Sequence, residues 1–347
     1  MTAKTNTPPE QSASPVPPRI LAFLDNAGWG DAHVEPLPGD ASFRRYYRAR
    51  RSGGESAMLM DAPPPNEDPR PFLDAAEYLT RHGFRAPGVL AQDAARGLVL
   101  LEDFGDRRMR DHLDLHAGDE SAVYRDAVDV LARLRDAPAG PFRPYDMSEY
   151  LREAKLFTEW FCIPRGLRVD DDGFEQAWRE VLSPLDDGAG VTVLRDYHAE
   201  NIMLLDEEAG AGGAAPYGQG LLDFQDALIG HPAYDLVSLL QDARREVSET
   251  LEAEMLDHYA SRTGAGDAFR ADYARLGAQR NAKIVGIFMR LSHRDGKHRY
   301  LSLIPRVWAA MERDLAHPAL APVARWFDAN IPSEIRMANG APLGDGQ

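Results

Sequence analysis

The sequence predicts an α+β protein with two lobes: a small, antiparallel, β-rich N-terminal lobe and a larger, mainly helical C-terminal lobe. Short strand-like segments separated by turn residues occupy the chain from about residue 33 to about residue 104. Long segments with helical periodicity dominate from Asp106 onward. A chain of 347 residues with 44% hydrophobic content is long enough to form two such lobes.

The N-terminal lobe is predicted to be an antiparallel meander preceded by a short apolar helix, I-L-A-F-L-D-N-A-G-W. Three strands follow, H-V-E-P-L, S-F-R-R-Y-Y-R-A-R and S-A-M-L-M-D-A, with the turn residues P-G-D and S-G-G between them. A helix, F-L-D-A-A-E-Y-L-T-R-H-G-F, ends near Gly83 and precedes two more strands, G-V-L-A-Q-D and G-L-V-L-L-E-D-F. The lobe boundary is expected within residues 100–106.

The C-terminal lobe is predicted to be helical apart from one compact β segment between Val191 and Phe224. Helices are expected at about residues 119–135, 147–163, 173–184, 234–259, 267–291, 299–315 and 319–329. The chain is therefore divided into a Pro-, Ser- and Thr-rich disordered leader (1–17), the N-terminal lobe (18–105), the C-terminal lobe (106–335) and a flexible tail (336–347).

The composition argues against several classes of partner. The chain has 39 Lys and Arg against 55 Asp and Glu, and its net charge of −16 would repel nucleic acids and anionic membranes. The sequence has neither an apolar run of membrane-spanning length nor a secretion signal, so we expect a cytoplasmic protein with no nucleic acid, membrane or obligate protein partner. The single cysteine, Cys162, excludes an internal disulfide and is expected to be a buried thiol.

One polar loop has the residues that phosphoryl transfer requires. In L-R-D-Y-H-A-E-N (194–201), Asp196 and Asn201 lie five positions apart between the apolar runs V-T-V and I-M-L-L. A carboxylate can orient and deprotonate an attacking hydroxyl, and an asparagine and a second carboxylate can bind the metal that neutralises the phosphates. The strand G-L-L-D-F-Q-D supplies that carboxylate at Asp223. Each residue alone could belong to an ordinary turn or strand end, but the order of the three favours a kinase.

These motifs resemble the aminoglycoside phosphotransferase and choline kinase family of protein-kinase-like small-molecule kinases. The resemblance rests on residues 194–205 and on L-L-D-F-Q-D-A-L-I-G-H-P-A-Y-D-L, with Leu194 where the family usually has histidine. It implies a two-lobed protein-kinase-like fold that uses ATP and Mg²⁺. Asp196 would be the catalytic base and Asn201 and Asp223 the metal ligands. Asp235, in the G-x-P-x-x-D-L ending, would be a structural residue that holds the catalytic loop.

The N-terminal lobe departs from the family at the strand that normally ends in a phosphate-pairing lysine. This strand reads A-M-L-M-D-A, so Met58 or Met60 takes the place of the lysine. Glu77 still occupies the position of the lysine's usual glutamate partner. A buried glutamate without its cation would be costly, so either Glu77 faces solvent or another cation replaces the lysine. The candidates for that cation are Arg44, Arg45 and Arg48.

The resemblance also implies a nucleotide site in the N-terminal lobe. P-G-D-A-S-F (38–43) lies where the family has a phosphate-covering loop, and its small residues let backbone N–H groups approach phosphate. The segment at the lobe boundary corresponds to the hinge that hydrogen-bonds adenine. The residues implied to bind nucleotide are Gly39, Asp40, Ala41, Ser42, Arg44, Glu102 and Asp103.

Within the family, the sequence looks most similar to a bacterial branch that phosphorylates the anomeric hydroxyl of N-acetylmuramate and N-acetylglucosamine in cell-wall recycling. The resemblance rests on the lysine-less L-M-D-A-P-P-P, on D-Y-H-A-E-N and on R-L-S-H-R-D-G-K-H-R-Y-L. It implies a small amino sugar as the partner, and a carboxylate-bearing sugar would need a cation near the acceptor site. The candidate acceptor-binding residues are His198, Glu200, Arg290, Arg294 and Lys297.

Alternatives remain open at this point. An aminoglycoside or amino-alcohol acceptor would need carboxylates, for which Glu153, Glu159 and Glu200 are available. The missing lysine raises the possibility of a non-catalytic nucleotide-binding module. T-G-A-G-D-A-F (263–269) is similar to the anion-hole motif of ribokinase-type kinases, but it follows a helical segment rather than a strand. H-R-D at 293–295 lacks an asparagine five residues later and is not a catalytic loop.

Overall fold

A computed structural model describes residues 16–38, 43–185, 190–206 and 218–341. The chain separates into two compact units. The first contains the described residues up to Ala76 together with Ala86–Gly105. The second contains Glu77–Arg85 and the described residues from Asp106 onward. Among the described residues, no helix is both long and apolar enough to cross a membrane.

The first unit is built on a five-stranded antiparallel sheet. Its elements are α1 (Pro18–Asn26), β1 (His33–Pro36), β2 (Arg45–Arg50), β3 (Ser56–Asp61), α2 (Arg70–Arg81), β4 (Val89–Asp93) and β5 (Leu98–Glu102). The strand order is β1-β2-β3-β5-β4, with every neighbouring pair antiparallel. Helix α2 begins in this unit, and the division between the units falls after Ala76.

One face of this sheet packs against α1. The helix contributes Ile20, Phe23 and Leu24, and alternate residues of the three central strands complete the cluster: Tyr47, Ala49, Ala57, Leu59, Leu98 and Leu100. Because side chains alternate across a strand, Asp61 faces α1 as well, whereas Met58 and Met60 point to the opposite face. Burying each large apolar side chain in such a cluster contributes about 2 kcal/mol.

The second unit is mainly helical. Its helices are α3 (Met109–Leu115), α4 (Glu120–Asp136), α5 (Met147–Ala154), α6 (Asp171–Leu182), α7 (Ala233–Leu240), α8 (Glu249–Thr263), α9 (Asp267–His293), α10 (Ile304–Leu315), α11 (Ala321–Asn330) and α12 (Ser333–Met337). Two antiparallel strand pairs lie among them: β6 (Val191–Val193) with β9 (Leu228–Gly230), and β7 (Ile202–Leu205) with β8 (Gly218–Leu221).

Helix α9 is the central helix of this unit. Its 27 residues are buried along most of their length, and α5, α7 and α10 all pack against it. Gly286 permits the approach of the chain that follows α5, because a Cβ atom at this position would overlap the carbonyl group of Leu156. Side chains of α5 and α9 can therefore meet directly beside the loop after β6.

The predicted α+β class, with strands first and helices after them, is confirmed. The prediction of one helix over 234–259 is wrong, because α7 ends at Leu240 and α8 begins at Glu249. The buried amide of Gln241 binds Glu252 and Asp314, and the carboxylate of Asp242 accepts the N–H of Arg244. Ser248 then caps α8 by accepting the N–H of Leu251. These polar bonds replace a continuous helix.

Other predicted boundaries also differ from the structure. Helix α5 ends at Ala154, and a π-helical turn, Thr158–Cys162, replaces the end of the predicted 147–163 helix. Glu77–Arg85, expected in the N-terminal lobe, falls in the second unit. Arg336, expected in the flexible tail, is part of α12, and its guanidinium Nε donates to Glu312 at 2.9 Å. Most of the predicted leader, residues 1–15, lies outside the described residues.

Candidate active site

The loop between β6 and β7 is held by the first turn of α7. The carboxylate of Asp235 accepts the backbone N–H groups of Leu194 and Arg195 at 2.6 and 2.7 Å. Asp235 is 2% exposed, and burial raises its pKa to about 6, although these two hydrogen bonds and Arg280 act in the opposite direction. Arg195 has a φ of 73°, a left-handed conformation that the bonds to Asp235 help to maintain.

A second set of contacts reaches the same loop from α9. The Arg280 guanidinium donates to the Ser238 hydroxyl at 2.7 Å, and this hydroxyl donates to the carbonyl of Arg195 at 3.2 Å. Both Arg280 and Ser238 are buried. The backbone immediately before Asp196 is therefore fixed from two helices.

Asp196 lies among several positive charges. Burial alone would raise its pKa, but the charges of Lys283, Arg280 and Arg195 oppose burial and hold it below the usual range. The Asp196 carboxylate is therefore ionised at neutral pH. It can accept a hydrogen bond from a hydroxyl group, and it is a better base for an acidic hydroxyl than for an ordinary alcohol.

Asn201 and Asp223 bring two oxygen-bearing side chains together. The Asn201 amide nitrogen donates to the Asp196 carbonyl at 2.9 Å and lies 3.5 Å from the Asp223 carboxylate. Asp223 is exposed and has a φ of 58° just after β8. An amide oxygen and a carboxylate are ligands that Mg²⁺ accepts, with phosphate oxygens and water completing its shell. The described residues contain no cluster of three or more His, Cys, Asp or Glu suited to a metal.

Glu153 of α5 anchors the loop from a third side. It is 1% exposed and accepts hydrogen bonds from the Tyr145 hydroxyl and the Arg195 guanidinium. Lys283 Nζ lies 2.9 Å from the Glu153 carboxylate and donates to the Tyr234 hydroxyl at 3.1 Å. Burial alone would raise the pKa of Glu153, but the charges of Lys283 and Arg195 lower it below the usual range.

His198 is packed inside the loop. It is 5% exposed, and its Nε2 lies 3.4 Å from the Asn201 amide nitrogen and 3.3 Å from an Arg244 guanidinium nitrogen. Burial lowers its pKa, so the ring is neutral at pH 7. Because both neighbours of Nε2 are donors, the proton lies on Nδ1, which has no hydrogen-bond partner among the described residues.

The remaining residues predicted to bind the acceptor substrate differ in whether their side chains already pair with other side chains. The Glu200 carboxylate binds the guanidinium groups of Arg110 and Arg244. Arg294 is exposed and makes two hydrogen bonds to Asp295, at 2.7 and 3.0 Å. Lys297 lies after α9 and donates its backbone N–H to Leu291. Arg290 is partly buried near the end of α9.

In the first unit, the predicted nucleotide residues Gly39, Asp40, Ala41 and Ser42 lie outside the described residues. Arg44 lies 3.5 Å from Glu67. The Glu102 carboxylate accepts the N–H of Gly88 at 3.1 Å.

The structure decides between the two alternatives for Glu77. Its carboxylate is 67% exposed and pairs with Arg81 one turn later on α2, so Glu77 faces solvent. Met58, one of the two residues expected to take the place of the lysine, pairs with Arg48 in the sheet. The Arg48 guanidinium pairs with the Asp103 carboxylate at 2.8 Å and donates to the carbonyl of Gly105.

Sequence reasoning missed Lys283 and Arg280, and it considered Glu153 only as an acceptor carboxylate. One signal was present: Arg280 and Lys283 are charged residues within an otherwise uncharged stretch of α9 (276–289), where unpaired charges are rarely buried. Their partners could not be identified, because Glu153 and Ser238 lie far away in the chain.

Comparison with known proteins agrees with this geometry. Residues 33–278 match the family model described as "Phosphotransferase enzyme family". The chain is 38% identical to a protein of Caulobacter vibrioides named N-acetylmuramate/N-acetylglucosamine kinase, over 91% of this chain and 96% of the relative. A protein of the same name from Pseudomonas aeruginosa is also 38% identical, over 85% of this chain and 88% of the relative.

Solved structures show the same fold at much lower identity. An ADP-bound aminoglycoside phosphotransferase superposes with a TM-score of 0.57 at 14% identity, over 85% of this chain and 97% of the other. Choline kinase from Streptococcus pneumoniae gives 0.59 at 13% identity, over 84% of this chain and 99% of the other. The predicted protein-kinase-like fold is thereby confirmed. From the family match and the two kinase relatives, we conclude that the chain belongs to the phosphotransferase enzyme family.

Proposed function

We propose that this protein transfers the γ-phosphoryl group of ATP, with Mg²⁺, to the anomeric hydroxyl of N-acetylmuramate or N-acetylglucosamine, as a cytoplasmic step of cell-wall recycling. The product is the sugar 1-phosphate. The observation that carries the proposal is the grouping of Asp196, Asn201 and Asp223, in which the Asn201 amide nitrogen donates to the backbone carbonyl of Asp196 and lies 3.5 Å from the Asp223 carboxylate. The names of the two relatives supply the acceptor.

In this proposal, Asp196 accepts the hydrogen bond of the sugar hydroxyl and takes its proton as the bond to phosphorus forms. Asp235, through its bonds to Leu194 and Arg195, fixes the backbone that presents the carboxylate. Asn201 and Asp223 would hold Mg²⁺, which supplies neutralising charge at the phosphate oxygens. Asn201 Nδ2 donates to the Asp196 carbonyl, and the amide oxygen of Asn201 would be the atom that binds the metal.

The charge state of Asp196 supports an anomeric acceptor. A carboxylate whose pKa lies below the usual range is a weak base, and an anomeric hydroxyl is more acidic than an ordinary alcohol. The proton affinities of the Asp196 carboxylate and an anomeric hydroxyl therefore differ less than those of the same carboxylate and an ordinary alcohol. The base and the hydroxyl are therefore better matched than a low-pKa carboxylate and an amino alcohol would be.

The carboxylates of the second unit argue against an aminoglycoside acceptor. A polycationic acceptor needs carboxylates that no protein cation already neutralises. Glu153 is buried and binds Arg195 and Lys283, and Glu200 binds Arg110 and Arg244. Of the three carboxylates considered for this role, Glu159 alone is exposed without a hydrogen bond or ion pair to another described side chain.

A substrate screen followed by ³¹P NMR tests the proposal. Wild-type protein is incubated with ATP, Mg²⁺ and, in separate samples, N-acetylmuramate, N-acetylglucosamine, kanamycin and choline. We expect a glycosyl 1-phosphate signal with one or both amino sugars. Phosphorylation of kanamycin or choline alone would replace the proposed acceptor. ATP binding without transfer to any of the four would favour a non-catalytic module.

A further inference from the structure

One accessible face of α9 carries two cations separated by an apolar side chain. Along the buried half of the helix, partly exposed positions recur at Lys283, Ile287 and Arg290. Their spacings of four and three residues place them on a single helix face. Seven residues of α-helix rise about 10 Å, so the two cations lie at opposite ends of a surface as long as one substituted sugar ring.

The Lys283 end of this face lies beside the catalytic loop. The charge of Lys283 lowers the pKa of Asp196, and its Nζ shares the Glu153 carboxylate with the Arg195 guanidinium. A sugar whose anomeric hydroxyl binds Asp196 therefore has Lys283 close to its reacting end. The rest of the sugar can extend along α9 towards Ile287.

The Arg290 end carries a cation that no described carboxylate binds. The Arg290 guanidinium forms no hydrogen bond or ion pair with any described residue, and its buried Nε lacks an acceptor among them. Burial lowers the pKa of Arg290, as do the like charges of Arg294 and Arg152. Asp295 and Glu159 are the nearby anions, but neither lies within ion-pair distance of Arg290.

The neighbouring arginines already have partners. Arg294 binds Asp295, and Arg152 of α5 binds Glu149 through two nitrogens, at 2.9 and 2.5 Å. Arg290 is thus the cation of this face whose guanidinium has no carboxylate partner among the described residues. A guanidinium in this state binds a carboxylate through two parallel hydrogen bonds.

We propose that Arg290 binds the lactyl carboxylate of N-acetylmuramate and thereby determines the preference between the two amino sugars. N-acetylmuramate is N-acetylglucosamine with a lactyl ether, and the carboxylate of that ether is the charge by which the two differ. Ile287 contacts the apolar part of the sugar between the two ends. The inference rests on the proposed function, because it places the anomeric hydroxyl at Asp196.

Steady-state kinetics of Arg290→Ala and Arg290→Lys with both sugars test this inference. For Arg290→Ala we expect the ratio of kcat/KM for N-acetylmuramate to that for N-acetylglucosamine to fall about 10- to 100-fold, the usual value of a charge-assisted hydrogen bond. The loss should appear in KM rather than in kcat, since the carboxylate is remote from the reacting atoms. Arg290→Lys should recover part of the lost preference for N-acetylmuramate, because lysine keeps the positive charge but lacks the planar guanidinium that donates two parallel hydrogen bonds.

Two comparisons separate this role from a general effect of charge or folding. Arg270→Ala removes the same charge from the other end of α9, where Arg270 pairs with Asp257, and should leave the selectivity ratio as in wild type. N-acetylmuramate methyl ester, which lacks the anionic carboxylate, should be used equally well by wild type and Arg290→Ala.

An equal loss for both sugars in Arg290→Ala, or a selectivity ratio unchanged by the substitution, would overturn the assignment. Failure of the proposed function has a different outcome: wild type would phosphorylate neither sugar. Isothermal titration with N-acetylmuramate then decides the binding question by itself. Weaker binding to Arg290→Ala than to wild type would support the carboxylate site, and equal binding would refute it.

Discussion

The two units of the molecule use buried charge in different ways. In the first unit, each buried carboxylate has one arginine: Asp61 pairs with Arg19 of α1, and Asp103 pairs with Arg48 of β2. Arg19 donates two hydrogen bonds to the Asp61 carboxylate, and Arg48 donates one to Asp103 and lies with its Nε 2.8 Å from the second carboxylate oxygen. These pairs are balanced, so they fix strands and helices in place without leaving net charge.

In the second unit, the charged side chains around the loop between β6 and β7 form a shared network rather than separate pairs. Glu153 is shared by Arg195 and Lys283, and the same two cations, with Arg280, surround Asp196. These charges are shared rather than paired one to one, so a change at one of them affects several neighbours. The comparison shows that an isolated pair holds single elements together, whereas the shared cluster holds the loop that carries Asp196.

Removing the Asp196 carboxylate, around which the shared charges lie, should have the largest effect on the rate. Asp196→Asn keeps the shape and hydrogen-bonding atoms of the side chain but removes the base. We predict a loss of kcat of about 10²- to 10⁴-fold with nucleotide affinity nearly intact. Steady-state kinetics and nucleotide titration measure the two quantities. Asp226→Asn, an exposed site nearby, serves as control, and a near-normal rate in Asp196→Asn would overturn the assigned role.

Neutralising Glu153, the carboxylate that Arg195 and Lys283 share, should lower both the stability and the rate. Glu153→Gln leaves Arg195 and Lys283 without their shared carboxylate, which we predict lowers the free energy of unfolding by about 3 kcal/mol. The displaced loop should lower kcat about tenfold or more. Urea denaturation and kinetics check both. Glu149→Gln, on the same helix but in a more exposed pair with Arg152, should cost less than about 1 kcal/mol, and an equal cost would contradict the comparison.

Breaking the pair of Asp61 and Arg19 should lower stability without affecting the rate, and the loss of stability should be smaller than for Glu153→Gln. In Asp61→Asn, the side chain can still accept a bond from Arg19, which is 40% exposed and is solvated when its partner is neutral. We predict a decrease of about 1 kcal/mol in the free energy of unfolding. Urea denaturation measures this decrease, with Asp68→Asn, which alters an exposed pair with Arg70, as the control variant. A cost equal to that of Glu153→Gln would show that balanced pairs are as sensitive as the cluster.

The neighbouring carboxylates of Asp126 and Asp129 provide the prediction with the smallest expected effect. Burial and the neighbouring charge of Asp129 raise the pKa of Asp126 to about 6. A carboxyl with a raised pKa stabilises the folded state below its unfolded pKa, near 4, and this contribution is lost as the pH rises through about 6. Asp126→Asn should therefore increase stability at pH 8 by up to about 1 kcal/mol after solvent screening. Urea denaturation at pH 8 and pH 4.5 should show a smaller gain at the lower pH.

Features whose determinants are close in the chain were predictable. The strands of the first unit follow from the alternation of side chains between turn residues. Asp196 and Asn201 are close enough in sequence that their spacing alone indicates a shared loop. Asp223 could be added because a β-hairpin, β7 and β8, returns the chain to the same place.

Features that depend on distant contacts were not predictable. The split of α7 from α8 depends on Gln241 binding Asp314, which lies 73 residues away. The exposure of Glu77 depends on which face of α2 packs, and its pairing with Arg81 became visible only in the structure. Sequence alone could treat the arginines near the end of α9 only as one local cluster.

The sequence by itself determined the fold class and the resemblance to small-molecule kinases, because these are encoded in local periodicity and short motifs. Tertiary structure decided which charges are neutralised. Glu153 binds Arg195 from 42 residues away, and Arg290 has no such partner among the described residues. Whether a charge is paired depends on which helix faces meet, and α5 and α9 meet only because the chain folds Gly286 against Leu156.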